Sequence, residues 1–144
     1  MINGQAFIQL AGRLAATASG DEAAGRSAVS RAYYGAFHLA LAFLRDLGIT
    51  IPANAYSHAA VQRYLIGSGQ PDAQQAGMSL ASLHSDRIRA DYRLDDVRFE
   101  DVRFARLRVA LACDVQAAIQ QCRQDENRPL IKAGIAAYRQ RIGE

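Results

Sequence analysis

The chain has no tryptophan, one lysine (Lys132), three prolines and two cysteines among its 144 residues. Two cysteines are too few for a disulfide-stapled scaffold. Cys113 and Cys122 also stand nine positions apart in a segment of helical periodicity, and nine steps of about 100° place them on opposite faces. They read as small buried hydrophobes of a reducing compartment. His38, His58 and His84 are twenty or more residues apart, with no CxxC, HxxxH or HxxE spacing around them, so neither a metal nor another cofactor is expected. No apolar run approaches the roughly 18–20 residues that cross a bilayer. The opening "MINGQAFIQLAGRLAATASG" lacks a basic start, and polar residues interrupt any export core. It reads as a first helix, and the expected location is cytoplasmic, away from membranes.

What is present is helix-forming. Half the residues are apolar and breakers are few, which predicts one folded, mostly helical domain over 1–144. The net charge is only +3, but sixteen arginines accompany the single lysine. Arginine forks onto phosphate and carboxylate, so this usage is compatible with nucleic acid; a codon bias toward arginine is the simpler explanation. Seven arginines lie between Arg87 and Arg108, and Asp86, Asp91, Asp95, Asp96, Glu100 and Asp101 stand beside or among them. That stretch reads as a surface laced with ion pairs at least as much as a basic patch.

Along the chain, Phe7, Leu10, Ala11 and Leu14 recur at helical spacing and predict a first helix over 4–18. "SGDE" restarts the chain, with Ser19 the expected N-cap and Glu22 its capping-box partner. A long, alanine-rich second helix runs from about 21 to 47 and stops at Gly48. "ITIPANAYS" is a loop punctuated by Pro52 and Asn54, after which Ser57 is expected to cap a short third helix. Pro71 opens a fourth helix that reaches about Tyr92. A fifth follows the "RLDDV" turn, with Val102, Phe104, Leu107, Leu111, Val115, Ala118 and Cys122 as its apolar stripe; a sixth starts near Pro129 with Ile131, Ile135, Tyr138 and Ile142. With no period-2 alternation of useful length, the fold class is all-α: an up-and-down bundle of four main helices with short additional ones.

One run stands out. "RSAVSRAYYGAFHLA" puts Arg31, Tyr33, Tyr34, Phe37 and His38 into a helix otherwise made of small and aliphatic residues. "SRAYYGAFHLA", followed by "SHAAVQRYL" and then by "RIRADYRL" with Arg87, Ala90, Asp91 and Tyr92, resembles the small prokaryotic HEPN-domain family in the order and spacing of three elements. The resemblance covers roughly residues 20–122. It implies a HEPN-like four-helix bundle, usually a homodimer, associated with ribonuclease activity, with toxin–antitoxin pairs and with RNA or nucleotide binding. It also implies an antitoxin or a small nucleotidyltransferase as a partner.

The same resemblance suggests chemistry. HEPN ribonucleases carry an R-x4-6-H pattern, and Arg31 followed by six residues and His38 fits it formally. An imidazole can take the 2′-hydroxyl proton while a guanidinium holds the phosphate, giving 2′,3′-cyclic phosphate ends with no metal. The family's pattern normally lies near the start of the last core helix, and there the chain has Tyr92, not histidine, five positions after Arg87. Arg31 and His38 are also about 10.5 Å apart along a helix at 1.5 Å per residue. The alternative is a non-catalytic nucleotide-binding or structural homodimer, a partner subunit in which Arg31 forms a buried ion pair with Asp91. The expected ligand surface comprises Tyr34, Ser57, His58, Arg87, Asp91 and Tyr92. Arg87 and Asp91 are one turn apart, and Ser57 and His58 sit at a helix start, where anions bind.

Overall fold

The computed structural model describes all residues, 1–144. Six helices follow in order: α1 Gly4–Ala16, α2 Glu22–Asp46, α3 Ser57–Gly67, α4 Pro71–Tyr92, α5 Val102–Cys122 and α6 Arg128–Ile142, with a 3-10 turn at Val97–Glu100 between α4 and α5. There is no strand, and the protein is an all-α helical bundle. The bundle is formed by α1, α2, α4 and α5, with α2 touching the other three. The shorter α3 closes one side against α4, and α6 rests on α3.

Local chemistry explains the boundaries. Asn3 caps α1, its side chain accepting from the Ala6 N–H at 3.4 Å. The cap of α2 is Asp21, accepting from Ala24 N–H at 3.1 Å, one residue from the helix start. Ser19 lies too far upstream to reach that first turn, so the predicted capping box does not form. At the other end Gly48 adopts φ +82°. Its N–H donates to the Arg45 carbonyl at 2.9 Å and that of Ile49 to Leu44 at 3.0 Å, a Schellman stop that tucks Ile49 into the core. Ser57 is the first residue of α3, not its cap, and is buried; no side chain caps that helix. Asn54 instead shapes the approach by accepting from Tyr56 N–H at 2.9 Å.

Periodicity located the helices better than their buried faces. In α5 the residues facing the core are Ala105, Ala112, Val115, Ile119 and Cys122, while Leu107 is 60% exposed. In α6 Ile131 and Ile135 are buried but Ile142 is exposed. Cys122 is buried and Cys113 exposed, both as free thiols, so only the first behaves as a core hydrophobe; burial pushes its thiol pKa up to about 11. One large cluster takes residues from every helix, among them Ile8, Phe43, Leu65, Leu83, Val115 and Ile131. A smaller one joins Val29, Ala90, Phe99 and Ala105 at the far end of α2.

Two features set up the site. A Cβ on Gly35 would lie 2.5 Å from Ile8 Cγ1 and 2.7 Å from the Gly4 carbonyl oxygen, so α1 and α2 approach backbone to backbone and carry Phe7 over the outer face of α2. Further along α2, Arg26 is buried and ties down the end of α4. Its guanidinium donates to the carbonyls of Ala90 at 2.9 Å, Arg93 at 3.1 Å and Leu94 and Asp96 at 3.3 Å; those of Ala90 and Leu94 have no backbone donor of their own. No helix is long and apolar enough to cross a membrane.

Candidate functional site: a guanidinium and imidazole cluster around Tyr34

The centre of α2 presents Ser30, Arg31, Tyr33, Tyr34, Phe37 and His38 over little more than two turns. The first turn of α3 brings Ser57 and His58 against it, and α4 contributes His84, Arg87 and Asp91. Tyr34 is the hub. The Arg31 guanidinium carbon lies 5.1 Å from its ring centroid and that of Arg87 5.3 Å. Its ring is also 6.3 Å from that of His58 and 6.5 Å from that of His38. Five of the eight residues expected from the sequence to form a site therefore meet around or at one half-buried ring, and Asp91 adjoins them through Arg87.

The two guanidiniums are differently engaged. Arg87 Nη1 pairs with Asp91 Oδ2 at 3.6 Å, while its Nε is buried with no hydrogen-bond partner. Arg31 forms no ion pair. Its Nη2 donates to Ser30 Oγ at 3.3 Å, and Ser30 Oγ in turn donates to Asp91 Oδ2 at 3.4 Å. The expected buried Arg31–Asp91 pair is thus replaced by a relay through Ser30, because Arg87, one turn before Asp91 on the same helix, takes the carboxylate. Two cations share one carboxylate, and most of their N–H donors are uncommitted. Exposed ion pairs elsewhere leave no such surplus: Arg98 with Asp96 at 2.6 Å and Arg103 with Asp101 at 2.8 Å close on themselves. The Arg87–Arg108 stretch is the ion-pair-laced surface that its composition suggests.

Behind Tyr34 lies an aromatic stack that the sequence did not reveal. Tyr33 is fully buried, its hydroxyl 2.5 Å from His58 Nδ1. His84 stacks on the Tyr33 ring at 4.9 Å and on His58 at 5.2 Å, and its own Nδ1 lies 3.2 Å from Gln62 Nε2. Phe37 backs His58 at 4.4 Å. Desolvation and neighbouring positive charges lower the pKa of all three imidazoles, of which His58 and His84 are half-buried and His38 exposed. Desolvation lowers the pKa of His58, helped by Arg87 and His38; that of His84, helped by His58 and Arg87; and that of His38, helped by Arg45. Desolvation raises the Tyr33 phenol far above its ordinary value, so it stays protonated.

Arg31 and His38 flank the Tyr34 and Phe7 rings from opposite ends. Phe7 lies 5.8 Å from the Arg31 guanidinium and 6.0 Å from the His38 ring. Ser57 is buried beside His58 and makes no cap, and Tyr92 is exposed at the end of α4. Tyr33, already conspicuous in the run of α2, belongs to the cluster, and so does His84, which its sequence position did not single out. The available signal was that His84 stands three residues before Arg87 and seven before Asp91, one face of α4. No grouping of histidine, cysteine or carboxylate suited to a metal ion occurs. Uncommitted guanidinium donors beside aromatic faces suit a phosphate with a planar group attached, and neutral imidazoles next to them can accept or donate a proton. Set against family models, curated proteins and solved structures, the chain matches none of them.

Proposed function

We propose that the protein binds RNA or a nucleotide through its phosphate, held by Arg31 and Arg87 on the face of Tyr34. The observation that carries this reading is the pair of guanidiniums 5.1 and 5.3 Å from one tyrosine ring with a single carboxylate between them. A surplus of positive charge with free N–H donors is what a phosphate oxygen requires. The resemblance of the α2, α3 and α4 motifs to HEPN-domain proteins supports the same ligand class. It also supports a homodimer, one component of a toxin–antitoxin or nucleotidyltransferase-linked pair. Ile88 and Tyr92, next in sequence to Arg87 and Asp91, are exposed, as are Leu94 and Val97 after the end of α4, and a second chain could cover them. Fluorescence anisotropy with a short labelled RNA tests the ligand: binding that Arg31→Ala and Arg87→Ala each weaken about tenfold or more, ~1.4 kcal/mol, is expected. Sedimentation at micromolar concentration tests the dimer, which a monomer would refute.

A second reading, metal-independent RNA cleavage, draws on the neutral imidazoles beside those cations. His38 would take the 2′-hydroxyl proton while Arg31 holds the phosphate. The 2′-oxygen would bond to phosphorus as the bond to the next nucleotide's 5′-oxygen breaks, and that leaving oxygen would take a proton from water. Incubation of a mixed RNA pool in EDTA decides it. Cyclic-phosphate ends produced by the wild type and not by folded Arg31→Ala or His38→Ala are the expected result; intact RNA in every case leaves binding as the function.

A further inference from the structure

A cavity of about 540 Å³ opens between the start of α1 and the second half of α2, within the ~300–1,000 Å³ range of small-molecule sites. Its walls are mainly apolar, with Phe7, Leu39, Leu41 and Ala42, and its rim carries Asn3, His38 and Arg45. It joins the Tyr34 cluster through Phe7. That ring stands 5.8 Å from the Arg31 guanidinium on one side and 6.0 Å from His38, a cavity residue, on the other. Arg45 makes no ion pair and is exposed. Asn3 spends only its oxygen, on the Ala6 N–H of the helix cap, which leaves its amide donors free.

We propose that this cavity receives the nucleobase of a nucleotide whose phosphate sits on Arg31 and Tyr34. The inference rests on the phosphate-binding reading and adds to it where the base goes. Three features select a base over a flexible apolar chain. The approach passes an aromatic ring on which a planar group stacks. The rim supplies side-chain hydrogen-bonding groups from Asn3 and His38, which suit the polar edge of a heterocycle. The Arg31 guanidinium, 5.8 Å from the Phe7 ring that lines the apolar chamber, supplies a cation for an anionic group at that side.

Calorimetric titration with adenosine 5′-monophosphate, ribose 5-phosphate and tri-adenylate tests the idea on the full chain. The base should make adenosine 5′-monophosphate bind about tenfold or more tighter than ribose 5-phosphate. Ala42→Trp, at an exposed position, should fill the cavity and bring that ratio to about one while ribose 5-phosphate binds as before. Phe7→Leu should reduce the ratio in the same direction. If only tri-adenylate binds, the nucleotide belongs to an RNA chain, and its affinity must then fall in Ala42→Trp. Equal, Arg31-dependent binding of both sugar phosphates would overturn the base site and leave the phosphate reading standing. Failure of all three probes to bind would overturn the phosphate reading, and the base site with it.

Discussion

Arg26 and Arg31 stand five residues apart on one helix and end in opposite circumstances. Arg26 is buried, stacks 4.4 Å above the Phe99 ring, pairs with Glu22 at 2.8 Å and donates to a ring of carbonyls from the α4 terminus and the turn after it. Arg31 is half-buried, has no carboxylate of its own, and bonds one neighbouring hydroxyl. The first guanidinium has used its donors to join two segments of chain. The second holds them beside Arg87, whose Nε is also unpartnered, at an aromatic surface. Which arginine is structural and which is available to a ligand is decided by acceptors on other helices, not by the residue type.

Substitutions sharpen that contrast. The largest effect is expected at Arg26. Arg26→Ala removes a charged donor from several carbonyls and should cost about 3–5 kcal/mol, lowering the melting temperature by roughly 10 °C in a chain of this size. Circular dichroism during heating measures it, and a loss of only a degree or two would show that water satisfies those carbonyls as well. At Arg31 the balance reverses. Arg31→Ala should leave the melting temperature within about 2 °C, a surface-like effect, while RNA affinity drops. Should Arg31→Ala instead unfold the protein, the residue is architecture and the contrast with Arg26 fails.

Tyr33→Phe comes next, since it deletes the hydroxyl bonded to His58 inside a buried stack. A loss of about 1 kcal/mol is expected, read from urea unfolding, with the His58 ring freed to reorient. The smallest effect is that of pH. His58 and His84 have pKa values lowered in the folded chain, so the unfolded chain binds their protons first. Their contribution to stability is complete above the unfolded value near 6.5 and is lost as pH falls through the lower folded values. Melting temperatures taken from pH 7.5 downward should therefore fall, and less steeply in His58→Gln. A flat profile would mean that the stack tolerates its charged forms.

Helix positions were legible from the sequence because capping, glycine stops and apolar spacing are local. Gly48 ends α2 and Pro71 opens α4 as expected. Facing was less legible: Leu107 lies on the apolar stripe of α5 yet points outward, and small alanines face the core instead, because α5 packs closely where its neighbours need room. The candidate site was half legible. Arg31, Tyr34, His38, His58, Arg87 and Asp91 do come together, and the Arg87–Asp91 pair expected from their one-turn spacing forms; the misassigned partner was that of Arg31. Asp91 belongs to Arg87 and Ser30 because competition between two cations for one carboxylate depends on the angle at which α2 and α4 meet. The Tyr33–His84–His58 stack needs three helices to exist at all, and no spacing within one of them announces it.

The central claim is that Arg31 is a ligand-binding cation and not merely one of sixteen arginines. Its most direct test is RNA affinity of the wild type, Arg31→Ala and Arg103→Ala at two salt concentrations, Arg103 being 82% exposed and paired with Asp101. Arg31→Ala should bind about tenfold or more weakly and show a salt slope shallower by about one, with Arg103→Ala within about twofold of wild type. Equal losses in both variants would show that RNA is held by diffuse positive charge, and would contradict a site at Tyr34.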